Sequence, residues 1–217
     1  MSGDNPEEGD RLLQRAYNLG APDTHIEFYR DFAESYDTTF AASLGYIYPA
    51  GIVRVLAGQQ RPQGAILDVG CGTGLVAAAI READPVAVID GVDISPDMLE
   101  KARLKCDYRD LMEADLTADH GHIPTDYAAI VSAGLFTFGH LGPDVIADMV
   151  SLCRPGAVAA LGVNSIFYAE QGFQGVLDGL EGDGLISSVA LHEVPIYDGR
   201  DAAHENDTAM ILGFTTQ

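Results

Sequence analysis

Ile66-Leu67-Asp68-Val69-Gly70-Cys71-Gly72-Thr73-Gly74-Leu75 is the stretch that decides the fold. An apolar run from Ala65 to Val69 passes straight into glycines and then into the helical pattern Leu75–Arg81. A short apolar run closed by glycine reads as a buried strand. Glycine admits positive φ and lets a ligand approach the backbone. The helix start adds open N–H groups and the positive end of a dipole. In an open parallel sheet this junction lies at the carboxyl-end crevice, where ligands bind. The spacing narrows the ligand. A dinucleotide fingerprint wants glycine or alanine where Leu75 stands, and a Walker loop wants a Gly-Lys-Ser/Thr that does not follow.

Two acidic stations extend the motif. A second buried strand, Val86–Val92, runs into Gly91-Val92-Asp93-Ile94-Ser95, with Asp93 placed 23 residues after Gly70. A carboxylate there can accept hydrogen bonds from both hydroxyls of a ribose. Ser95-Pro96 opens the next helix as N-cap and first helical residue, and that helix carries Met98, Leu99 and Ala102. A third strand near Tyr108–Ala114 leads into Glu113-Ala114-Asp115-Leu116, where an acid can accept from the amino group of an adenine.

Further along, strands are predicted at Tyr127–Ser132 and Ala157–Val163. The helix Asp144–Leu152 lies between them, stopped by Pro155-Gly156. A helix near Ala169–Leu180 precedes two more strands, Ser188–Tyr197 and Thr208–Thr215, which suit an antiparallel edge. Strands alternating with helices predict a mostly parallel sheet covered on both faces. Residues 1–62 read as helical, with Ile26, Tyr29, Phe32, Ala33 and Tyr36 at helical spacing. We expect them to form a cap on the 63–217 core, within one structural domain.

The chain has 217 residues, 47% apolar and 21% charged, the composition of a globular domain. Its 33 acidic and 12 basic residues give a net charge of −21, and Lys101 and Lys105 are the only lysines. Phosphate backbones and anionic lipid repel such a protein, so nucleic acid is not the expected partner. No apolar run reaches the ~18 residues that would cross a membrane. The opening MSGDNPEEGD lacks the basic-then-apolar order of a secretory signal, so a cytoplasmic location is expected. Cys71, Cys106 and Cys153 have no CxxC spacing, which disfavours disulfides and thiolate zinc. His120-Gly121-His122 alone does not make a metal site, and none is expected.

Together LDVGCGTG, GVDIS with MLEKA, and EADL resemble the class I S-adenosylmethionine-dependent methyltransferases over roughly residues 64–165. The resemblance implies a Rossmann-like α/β sheet of order 3-2-1-4-5-7-6 with strand 7 antiparallel. It implies S-adenosylmethionine as cofactor and S-adenosylhomocysteine as product. It also implies that Gly70, Gly72 and Gly74, with Cys71 among them, line the methionine part. Asp68 would serve the amino end, directly or through water; Asp93 would hold the ribose, Ile94 would touch the adenine, and Asp115 and Leu116 would frame it. The flanks His25, Phe28-Tyr29, Tyr36-Asp37, Tyr48-Pro49, Ser132–Phe136 and Gln171–Leu180 resemble the Williams–Beuren-region methyltransferase-like group. Pro155-Gly156-Ala157 stands where that group has Pro-Gly-Gly.

Methyl transfer is an in-line displacement, in which a protein aligns the acceptor and excludes water. The acceptor side should be Val131–His140, beyond the fourth strand. His140 is the candidate general base. Phe136 and Phe138 read as an acceptor wall or as core, while Asn164 and Tyr168 read equally as substrate contacts or as ordinary loop and helix residues. Tyr36 over the cofactor and Tyr29 toward the substrate would make a lid, although helix packing accounts equally for their spacing. The expected activity is methylation of a small molecule. A cofactor-binding module without transfer activity and a protein methyltransferase are the alternatives, and a nicotinamide oxidoreductase is opposed by Leu75. Acceptor atom and oligomeric state stay open.

Overall fold

The computed structural model describes residues 41, 44–118 and 120–217. Most of the predicted cap, with Tyr29 and Tyr36, lies outside these residues. In chain order the elements are helix α1 (Tyr48–Ala57), strand β1 (Ile66–Val69), α2 (Leu75–Ala83), β2 (Ile89–Asp93), α3 (Pro96–Lys105), β3 (Asp110–Glu113) and β4 (Tyr127–Phe136). They continue with α4 (Ile146–Ser151), β5 (Cys153–Asn164), α5 (Ser165–Glu170), α6 (Phe173–Gly182), β6 (Ile186–Pro195) and β7 (Thr208–Thr216).

The seven strands form one sheet of order β3-β2-β1-β4-β5-β7-β6. β1 is buried throughout and pairs in parallel with β2 and β4, Asp68 lying between Gly91 and Val131. β7 is antiparallel to both neighbours, Leu212 facing Leu161 of β5 and Leu191 of β6. Alternation along the strands splits the core. Leu67, Val69, Ile130, Phe136 and Leu161 pack with Phe173 and Leu177 of α6. Ile66, Val131 and Val158 face the other way, against Ile52 of α1 and Ile80 of α2. Gly162 of β5 lets α1 lie close, because a Cβ there would collide with the Tyr48 hydroxyl.

Three boundaries differ from the sequence reading, each for a local reason. β2 begins at Ile89, since Val86 is 85% exposed and lies outside the ladder. The helix expected near Ala169–Leu180 is two helices, broken where Gly172 takes a left-handed φ of 74°. β5 starts at Cys153. Pro155-Gly156 bulges the strand instead of preceding it, and the pairing moves from Tyr127↔Cys153 to Ala129↔Val158 around Gly156 at φ 81°.

Two long-range ties went unread in the sequence. Asp90, 1% exposed, accepts from Arg109 through both oxygens (2.9 and 2.5 Å) and from the Tyr127 hydroxyl at 2.8 Å. Buried charge survives when paired and hydrogen-bonded in this way, and the trio ties β2, the start of β3 and β4 across the sheet. On the far side, Tyr46 bridges to Tyr197, and the Ile47 amide donates to the Ile196 carbonyl at 3.0 Å. The chain before α1 is thereby fastened to the β6–β7 connection.

Candidate cofactor and acceptor site

At the carboxyl ends of β1, β2 and β4 the backbone turns sharply. Gly70, Gly72 and Gly74 all take positive φ (63°, 52° and 88°), a region that costs a side chain strain. The loop is pinned from several sides. The Cys71 amide donates to the Val92 carbonyl at 3.0 Å, and Lys105 Nζ donates to Thr73 Oγ1 at 3.0 Å. A Cβ on Gly74 would press on the Tyr108 hydroxyl at 3.3 Å, so the ring of Tyr108 supports the loop from behind. Gly72 has open space on its Cβ side. α2 then starts from Gly74 without a side-chain cap.

Asp93 links loop and strand. One carboxylate oxygen accepts from the Gly72 amide at 2.8 Å and the other from the Ser95 amide at 2.9 Å. Each oxygen keeps a second lone pair for a ligand. Burial raises the pKa of Asp93 while those backbone amides pull it back. Ser95 caps α3 as predicted, its hydroxyl accepting from the Met98 amide at 3.3 Å. Asp115 folds into its own turn, accepting from the Thr117 amide (2.8 Å) and hydroxyl (2.6 Å) through one oxygen.

A cavity of about 280 Å³ brings these parts together. Gly70, Gly72, Asp93, Ile94, Asp115, Leu116 and His140 all line it, along with Met98, Ala114, Leu135 and Leu141. Beside Asp93 the lining is apolar, from Ile94, Met98, Ala114 and Leu116, and Gly134, Leu135 and His140 line the same cavity with Gly70. Leu135 lies over Gly70, where a Cβ would come within 2.8 Å of its Cδ1. It gets there because β4 leaves register with β5 between Ser132 and Phe136, with Gly134 at φ 77°. His140 Nδ1 lies 3.0 Å from the Phe138 carbonyl. A carbonyl only accepts, so the ring presents a proton to it on Nδ1.

Other predicted residues stand elsewhere. Asp68 is wholly buried behind the loop, hydrogen-bonded to Tyr108. Cys71 is buried, and its thiol pKa is pushed up by burial and by the carboxylates of Asp93 and Asp68. Phe136 is 0% exposed and packs edge-on to Phe173 in the core, which leaves no face for a substrate. Phe138 is half-buried against Phe167. Asn164 caps α5 through its side-chain oxygen, and Tyr168 stacks on Phe173 and donates to Gln174 at 2.7 Å. Tyr108 was missed, and Gly134 and Leu135 were read only as part of the Val131–His140 stretch. Tyr108 and Leu135 carry no local signal in the sequence; the Gly134 signal was the lone glycine within an apolar stretch. Among the described residues no His/Cys/Asp/Glu group is arranged to hold a metal.

Several known proteins are similar to this chain. A family model described as a methyltransferase domain matches residues 66–156. The chain is 33% identical over 176 residues to human methyltransferase-like protein 27, an alignment that covers 76% of this chain and 70% of that protein. It is 34% identical over 95 residues to a malonyl-[acyl-carrier protein] O-methyltransferase of Acetivibrio thermocellus, covering 43% of this chain and only 34% of that one. The solved magnesium protoporphyrin IX methyltransferase of Synechocystis PCC 6803, with bound SAM, superposes with a TM-score of 0.54 at 17% identity. That superposition covers 96% of this chain and 91% of the other, and at such identity the likeness concerns the fold.

Proposed function

The chain belongs to the class I S-adenosylmethionine-dependent methyltransferases, and from that premise we propose that it methylates a small molecule admitted between Gly134 and His140. The cofactor is S-adenosylmethionine, and the residues present fit it. The positive-φ glycines leave room for its amino-acid part, Asp93 offers carboxylate oxygens to the ribose, and Ile94, Met98, Ala114 and Leu116 make an apolar slot for the base. Asp115 stands beside that slot. When bound, the cofactor supplies a methyl group already activated on a sulfonium sulfur.

The chain's own tasks are orientation and proton handling. Leu135 and Leu141 exclude water from the space beyond Gly70, which raises the reactivity of an aligned nucleophile. His140, held through Nδ1 at the Phe138 carbonyl, takes the acceptor's proton. Phe138 backs the His140 loop through its carbonyl, and Asn164 and Tyr168 belong to the adjoining α5 rather than to the cavity wall.

The observation that carries the proposal is the shared cavity. The glycine loop, Asp93 and His140 open into one space that no described side chain fills. A filled space would have argued for a binding module instead. The chain's −21 charge supports a partner other than nucleic acid. Its three cysteines stand free, in keeping with a reducing, cytoplasmic compartment. Among the described residues no helix is long and apolar enough to cross a membrane.

Calorimetric titration with S-adenosylmethionine and S-adenosylhomocysteine, beside Asp93→Ala, tests the site. Micromolar binding that the variant loses is expected, followed by release of S-adenosylhomocysteine when small-molecule acceptors are screened. A folded protein that binds neither ligand overturns the proposal.

A further inference from the structure

Positive charge is nearly absent from the half of the chain that builds the acceptor side. After Arg109 the sequence holds 16 acidic residues and two cations, Arg154 and Arg200. That half supplies the Asp115 turn and the wall from Ala133 to Leu141. Both arginines are committed elsewhere. Arg154 stands at the amino end of β5, where it donates to the Gln63 carbonyl and lies 4.0 Å from Asp126, whereas the cavity lies at the carboxyl ends of the strands. Arg200 pairs with Asp198 at 2.6 Å in the β6–β7 connection. Residues 1–43 carry three arginines against nine acids, so the sequence gives no cationic surplus there either.

Among the described residues the cavity lining includes Asp93 and Asp115 and no lysine or arginine. Asp115 uses one oxygen in its own turn, and no hydrogen bond within the turn takes the other. Around His140 the lining is apolar, from Leu135, Leu141 and two glycines. A cleft lined by one sign of charge between low-dielectric walls concentrates ions of the opposite sign and repels its own. A carboxylate or phosphate acceptor is ordinarily seated by arginine or lysine, and here it would face two carboxylates instead.

We propose that the acceptor is an amine with an apolar body, drawn in as its ammonium ion and methylated on nitrogen. This rests on the cavity being the site of methyl transfer. An ammonium has no lone pair to attack with, so its proton must leave first, and it passes to the His140 ring. The freed nitrogen lone pair forms the new N–C bond as the C–S bond breaks. The pair from that bond stays on sulfur, which becomes a neutral thioether. The N-methylated amine keeps the positive charge, and the proton on His140 is returned to water. Leu135 and Leu141 meet the apolar body of the amine.

The test measures release of S-adenosylhomocysteine by the full chain at saturating S-adenosylmethionine. The probes are aryl and alkyl amines, each beside the alcohol and the carboxylate of a matching carbon body: phenethylamine with phenethyl alcohol and hydrocinnamate, octylamine with octanol and octanoate. An amine should exceed its two counterparts at least about tenfold in kcat/KM, with the added methyl on nitrogen by mass spectrometry. Its KM should climb about threefold or more between about 50 mM and about 500 mM salt while kcat holds, because screening weakens the attraction. Free amine grows about tenfold per pH unit below the ordinary ammonium pKa near ~10. From pH 8 to 9 the kcat/KM of His140→Gln should therefore rise about tenfold where the wild type stays flat. An alcohol or carboxylate turned over faster than its amine overturns the proposal, and so does a KM indifferent to salt. A His140→Gln profile as flat as the wild type overturns the proton step on which it depends. If that variant fails to fold, the panel and the salt dependence decide on the wild type. A chain that binds S-adenosylmethionine and turns over no amine also overturns it, with the cofactor site left standing. Binding of neither S-adenosylmethionine nor S-adenosylhomocysteine is the separate failure of the cavity reading itself.

Discussion

Replacing Gly91 by alanine is a one-carbon test of how the glycine loop is held. Gly91 has ordinary backbone geometry, so the substitution adds no φ strain. The new methyl would lie 2.7 Å from Leu111 Cδ2, 2.9 Å from Cys71 Sγ and 2.9 Å from Tyr108 Cε1. Comfortable contact is ~3.5–4.0 Å, so three side chains from three segments must each retreat by roughly half an ångström or more. Overpacking of this kind costs ~1–3 kcal/mol. Alanine's lower chain entropy in a strand returns ~0.5–1 kcal/mol, leaving a net loss of about 1 kcal/mol at the middle of these ranges. For a domain of this size that lowers Tm by about 2–4 °C, measurable by thermal circular dichroism. Because Cys71 belongs to the loop and its amide holds the Val92 carbonyl, affinity for S-adenosylmethionine should fall as well. Cys71→Ala should rescue part of the loss, since it removes one of the three obstacles. A double-mutant cycle should then give a favourable coupling of at least about 0.5 kcal/mol. A Tm unchanged to within about 1 °C, or strict additivity with Cys71→Ala, would show that Gly91 does not set the spacing between β2 and the loop.

Other expectations concern binding, stability and pH. Asp93→Asn keeps one acceptor for two backbone amides (Gly72 and Ser95), so it should cost ~1–3 kcal/mol of stability and weaken S-adenosylmethionine at least about tenfold by calorimetry. Tyr127→Phe removes a buried hydroxyl that donates to Asp90 and should cost ~1.5–3 kcal/mol in urea unfolding, with little change in ligand affinity. Asp68, with its pKa raised to about 7 in the folded chain from an unfolded value near ~3.9, binds a proton in the fold that the unfolded chain releases. Its contribution is therefore complete below pH ~4 and lost as the pH climbs to about 7, and Asp68→Asn should remove that part of the slope in unfolding experiments. With a net charge of −21, midpoint temperatures should rise on adding salt up to about 1 M; a fall would show that self-repulsion is not limiting.

Local pattern and long-range contact divide what could be read in advance. The LDVGCGTG turn, Asp93 at a strand end and Ser95-Pro96 opening a helix were legible because each depends on neighbours in sequence. Pro155-Gly156 misled for the same reason: its turn chemistry is real, but β4 absorbs it as a bulge within β5. Phe136 stays between wall and core in the sequence because a run such as Leu135-Phe136-Thr137-Phe138 does not say which ring turns inward; α6 decides, through Phe173. Tyr108 behind the loop, and Arg109 and Tyr127 on Asp90, were illegible because their partners lie 19 to 40 residues away.

The seat of β7 has a consequence for how the molecule is made. It is the last strand in chain order, yet it occupies an interior place between β5 and β6. While the chain emerges from a ribosome, β5 must wait with one ladder edge bare until Thr208–Thr216 has been synthesised. β6, made earlier, has no strand to dock on in the meantime. The sheet thus closes by insertion, and the nascent β5 edge is the surface a chaperone would have to shield.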